Sequence, residues 1–131
     1  MCQESKTEIR RRTDEAGGFV EETEMVDGQP HGTRRIWSKT GIQIGMAEFS
    51  RGKLHGRCLV WFDDGRLYIE SSYFEGRLDG EYRSFWPNGK PREAGRYKDG
   101  ARIGTYQWFD ETGKLITEDS DGSPGSGPRV S

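Results

Sequence analysis

His31 and His55, Cys58, and the acid pairs Asp63-Asp64 and Asp110-Glu111 are the side chains of this sequence best suited to chemistry. Two histidines suggest a zinc site, and a cysteine three residues from a histidine suggests an activated thiolate. Paired carboxylates are the equipment of a glycosidase. The glycine spacings in "GKLHG", "GRLDG" and "GARIG" suggest a loop that cradles phosphate.

Spacing argues against each of these. His31 and His55 occupy one register of a repeat, followed by Asp79 and Ile103. Equivalent residues in adjacent hairpins lie roughly 10 Å apart, whereas zinc ligands stand about 2.0–2.2 Å from a shared ion. Structural histidines beside turns, and no metal or cofactor, are therefore expected. Along an extended strand, the odd offset between His55 and Cys58 sends the side chains to opposite faces, so Cys58 reads as a core residue. The acid pairs fall in turn segments, where aspartate accepts backbone hydrogen bonds. No lysine followed by serine or threonine completes a nucleotide loop. Those glycines are expected to let the chain turn and to let an aromatic ring lie over bare backbone.

The elements that carry these residues follow from the glycines. Gly28, Gly52, Gly76 and Gly100 stand 24 apart, and the same interval separates Gly32, Gly56, Gly80 and Gly104. Gly41, Gly65, Gly89 and Gly113 form a third register. Three registers held over four copies without insertion define a tandem array with structural glycines at its turns. The segments "DDGR", "PNGK" and "ETGK" read as type I turns closed by a glycine bulge. "DGQ", "RGK", "EGR" and "DGA" form the second turn of each unit.

Between turns the side chains alternate. Cys58, Val60 and Phe62 fall on one side of a strand and Arg57, Leu59 and Trp61 on the other. Both sides carry apolar groups, so the expected fold is all-β: an elongated single-layer antiparallel sheet of 24-residue hairpins, lightly covered on each face. Met25, Phe49, Tyr73 and Tyr97 form one ladder and Trp37, Trp61, Phe85 and Phe109 another, each with one interleaved side chain per gap. The second ladder is the candidate partner-binding strip, because aromatic anchors dominate many interfaces. Its plain alternative is core packing.

Only 31% of the residues are hydrophobic and 32% are charged, so the core must be thin. A net charge of -2 with interspersed signs gives no field to attract nucleic acid. Arg10-Arg11-Arg12, flanked by Glu8, Asp14 and Glu15, reads as a solvated segment. Two cysteines, no leading apolar run and no bilayer-length stretch point to a cytoplasmic protein. Nothing indicates membrane association.

The unit "DGEYRSFWPNGKPREAGRYKDG", Asp79 to Gly100, resembles a MORN-repeat variant, in which an aromatic pair and "x-N-G-K" precede "Y-x-x-G"; "KLHG" also matches the family's "H-G" step. The resemblance covers about residues 17–118. It implies a curved run of antiparallel hairpins that binds proteins without catalysis. Some bacterial arrays of this type are labelled YwqK-type antitoxins, which gives the alternative of an immunity protein neutralising a toxin. The expected organisation is a poorly ordered or degenerate segment over 1–16, with a degenerate strand from about Ile9 to Thr13, and a repeat domain over 17–118. The units lie near 28–51, 52–75, 76–99 and 100–118, with a half repeat before 28. A disordered tail follows over 119–131. A monomer or an edge-to-edge oligomer fits such an array.

Overall fold

The computed structural model describes residues 6–13 and 19–119, with Phe19 described by its backbone alone. Every element in it is a strand: β1 (Thr7–Thr13), β2 (Phe19–Val26), β3 (Gln29–Trp37), β4 (Gln43–Ser50), β5 (Lys53–Trp61) and β6 (Leu67–Phe74), followed by the short β7 (Arg77–Leu78), β8 (Gly80–Phe85), β9 (Pro91–Lys98), β10 (Ala101–Phe109) and β11 (Leu115–Asp119). They form one open antiparallel sheet in chain order, β7 and β8 being two pieces that each pair with β6. The all-β single-sheet expectation holds. The strand in front starts at Thr7 and pairs along its length with β2, completing the hairpin of which sequence suggested half. Residues 1–5 and 120–131 lie outside the described residues.

Two rows of turns border the sheet. In one, Asp27, Arg51, Glu75 and Asp99 all have φ 51° and precede glycines at φ 80° to 85°, the geometry of a two-residue hairpin turn. Each turn is fastened to the one before it. The amides of Gly52, Gly76 and Gly100 donate to the carbonyls of Pro30, Leu54 and Leu78 at 2.8 Å. The amides of Arg51, Glu75 and Asp99 donate to His31 Nδ1, His55 Nδ1 and Asp79 Oδ2 at 3.1, 3.4 and 3.4 Å. The histidine register is thus a row of turn clasps, with Asp79 as a substitute acceptor.

In the other row, the amides of Gly41, Gly65, Gly89 and Gly113 each close a turn onto the residue three before. This is the type I turn with glycine bulge that the sequence predicts. Side chains tie this row together: Trp86 Nε1 donates to Phe109 O at 3.1 Å, Asn88 Nδ2 to Glu111 O at 2.7 Å and Arg66 Nη1 to Pro87 O at 2.8 Å.

The Gly32 register does not turn the chain. Residues 31–33, 55–57 and 79–81 each bulge opposite a single residue, namely Glu24, Glu48 and Ser72. Gly56, at φ 117°, lets this bulge form, and the Glu48 carboxylate lies over it, accepting the Arg57 amide at 2.7 Å. The expectation of a ring over these glycines is therefore corrected: carboxylates or serine lie there. The ring over bare backbone is at Gly95, where a Cβ would fall within the ring of Tyr106.

Candidate functional site

Cross-strand partners share a face, so the pairings assign the paired strand residues to one of two faces. On the first face, Met25, Phe49, Tyr73 and Tyr97 pair with Pro30, Leu54, Leu78 and Arg102. These are the interleaved side chains the ladder requires. Beside this row runs another of small residues, Thr23, Ala47, Ser71 and Gly95, pairing with Arg34, Cys58 and Tyr82. Small against large lets the row close. Met25 and Tyr106 are each 4% exposed, and Ser84 is fully buried.

Aromatic rings run across this face, the first two contacts edge-on and the third tilted. Tyr82 meets Tyr97 at 5.9 Å, Tyr97 meets Tyr106 at 5.9 Å, and Tyr106 meets Trp108 at 4.6 Å. Arginines cover them: Arg34 lies 4.7 Å over Phe49, Arg92 5.1 Å over Tyr68 and Arg102 5.0 Å over Tyr106. Burial, with a hydrogen bond to Tyr97, pushes the Tyr106 phenol far above its ordinary range; burial raises Tyr73 and Tyr82 as well. Arg102 pairs with Asp119 at 3.5 Å, both side chains about nine-tenths covered. Ser84 Oγ donates to Glu93 at 2.8 Å and accepts from Arg92 Nε at 3.2 Å. Among the described residues no buried side-chain polar atom lacks a hydrogen bond.

The second face is built from ion pairs. Glu22 stands between Arg11 and Arg35, at 3.1 and 3.9 Å. Glu70 stands between Arg57 and Arg83, at 3.8 and 3.5 Å, and Glu81 continues the chain to Arg96 at 3.6 Å. The light apolar cover expected on both faces is present, but unequally: Leu59 and Met46 pair here among charges, while the most deeply buried side chains lie on the first face.

Trp37, Trp61, Phe85 and Phe109 follow Arg35, Leu59, Arg83 and Gln107 by two residues, which puts all four on the ion-pair face. They oppose Gln43, Leu67, Pro91 and Leu115 beside the wide turns. Each is half-buried. A shallow depression of about 480 Å³ on the same face is lined by Glu81, Arg83, Ala94, Arg96, Ile103 and Thr105.

The residues suited to catalysis are engaged elsewhere. His55 leans on Phe74, with ring centroids 4.9 Å apart, and its Nδ1 holds the Glu75 amide. Burial pushes the Cys58 thiol up, which keeps it protonated and a poor nucleophile. Asp64 Oδ1 accepts the Arg66 amide at 2.9 Å. Asp110 Oδ1 accepts the Thr112 hydroxyl at 2.6 Å and the Thr112 and Lys114 amides, and these bonds lower its carboxyl below the usual range. Among the described residues no three or more His, Cys, Asp and Glu side chains are grouped to hold a metal. No helix there is long and apolar enough to cross a membrane.

Residues 78–99 and 102–120 match the family described as the MORN repeat variant. These two stretches run from β7 to the end of β11, so it is the last two units of the sheet that are similar to the MORN repeat variant. A search of curated proteins finds no match to the chain. MORN-repeat units are generally non-catalytic and often mediate binding.

Proposed function

We propose that this protein is a non-catalytic protein-binding array, and that the partner docks on the ion-pair face along Trp37, Trp61, Phe85 and Phe109. One observation carries this reading: the core is assembled from a different set of aromatic residues on the opposite face. The strip repeats once per unit and is bordered by alternating charges, an arrangement suited to an extended protein segment with aromatic anchors and a polar rim.

Affinity capture from the source cell, with quantitative mass spectrometry, tests this reading. Partners bound by the wild-type chain are expected to be lost with Trp61→Ala and Phe85→Ala together and kept with Phe74→Ala, a change at an exposed ring outside the strip. Equal recovery by all three proteins would remove the strip from the account. The immunity-protein alternative predicts that the captured partner is an enzyme whose activity falls on binding.

A further inference from the structure

The sheet is open, with β1 at one edge and β11 at the other, and the two edges carry opposite charge. β1 reads "TEIRRRT" and β11 reads "LITED". Within the chain, Glu21, Glu22 and Thr23 of β2 pair with Ile36, Arg35 and Arg34 of β3. Advancing β2 by four units of the repeat leads to Thr117, Glu118 and Asp119; stepping β3 back by one leads to Arg12, Arg11 and Arg10. The register that joins successive hairpins would thus set Glu118 of one chain against Arg11 of another, and Asp119 against Arg10.

We infer that this protein associates head to tail, β11 of one copy receiving β1 of a second copy as the next strand of a continuous sheet. Edge strands present backbone donors and acceptors along their open side. Charge selects the pairing. Joining β1 to β1 about Arg11 would bring the arginine run against its own copy, and joining β11 to β11 about its acidic end would oppose Glu118 and Asp119 in the same way. The mixed pairing in the register of the repeat sets unlike charges together along the strand.

The structure contains the contact in miniature. Glu22 sits between Arg11 and Arg35. A second copy would extend the same alternation, with its Arg11 between its own Glu22 and the first copy's Glu118, whose carboxylate here accepts from Gln107 at 3.4 Å. Because the two surfaces differ, the contact is heterologous and leaves a free edge at each end, so assembly grows with concentration. The inference does not depend on the external partner proposed above.

Sedimentation of the full chain over a concentration series tests it. The wild-type mass is expected to rise above that of the monomer at low salt and to fall back in about 0.5 M salt, where the Debye length is only a few ångströms. Arg11→Glu alone and Glu118→Arg alone should each weaken association by roughly tenfold or more, and an equimolar mixture of the two should restore it, since each variant repels itself and attracts the other. Circular dichroism melts of both variants check that the sheet is intact. A wild-type chain that stays monomeric at every concentration, or single variants that assemble as well as wild type, would overturn the inference. So would a mixture that assembles no better than its components.

Discussion

The two faces of this sheet share one backbone and divide the work. On one, small residues oppose large ones, rings meet edge to edge, and Ser84 is fully buried. On the other, carboxylates stand between pairs of arginines whose side chains are 40–64% exposed. A single layer needs only one buried side to order the chain, which leaves the other side able to carry contacts that folding does not require. Exposed pairs contribute little each, so most of the stability should reside on the core face.

The largest expected effect is at Arg102. Replacing it with alanine leaves the covered Asp119 carboxylate without its guanidinium and uncovers Tyr106 and Trp108, a loss of about 3 kcal/mol in denaturant unfolding. Arg102→Leu combined with Asp119→Leu should recover much of that loss.

Alkaline unfolding should follow tyrosine ionisation. The phenols of Tyr73, Tyr82 and Tyr106 are raised in the folded state, Tyr106 most, because burial penalises the charged form. Their contribution is therefore complete below the unfolded phenol value near 10 and is lost as pH rises above it. Ultraviolet absorbance and circular dichroism recorded together should show late tyrosinate formation coinciding with loss of the sheet. Tyrosines that all titrate normally in a folded protein would contradict the closed core face.

The smallest effect belongs to the ion-pair face. Glu70→Gln removes the carboxylate shared by Arg57 and Arg83, and should cost less than about 1 kcal/mol, with the difference shrinking as salt is added. A larger, salt-independent loss would assign this face a share of the core.

Much of the fold was legible because glycine at positive φ leaves a period that side chains cannot blur. Twelve glycines in three registers all have positive φ, so hairpins, turn rows and sheet could be read directly. The in-strand bulges of the Gly32 register were not read, because glycine inside a strand and glycine in a turn look alike until the opposing residue is known. The one-sided core was hidden for a related reason. Both parities of β5 carry apolar residues, Cys58 and Val60 against Leu59 and Trp61, and only cross-strand pairing reveals which parity finds small partners. The interleaved row of Pro30, Leu54, Leu78 and Arg102 does keep the 24-residue interval, and reading that register beside the aromatic one would have found it.

Ser71 and Ser72 give the most direct test, being neighbours of one type on opposite faces of β6. Ser71 is 3% exposed in the small-residue row with Thr23, Ala47 and Gly95, whereas Ser72 occupies the register filled by Glu24, Glu48 and Arg96 in other units. Thermal and denaturant unfolding of Ser71→Glu and Ser72→Glu should separate widely. The first should lose at least about 3 kcal/mol through a buried, unpaired charge, and the second should stay within about 0.5 kcal/mol of wild type. Equal losses, or a greater loss at Ser72, would contradict a sheet whose fold is held from one side.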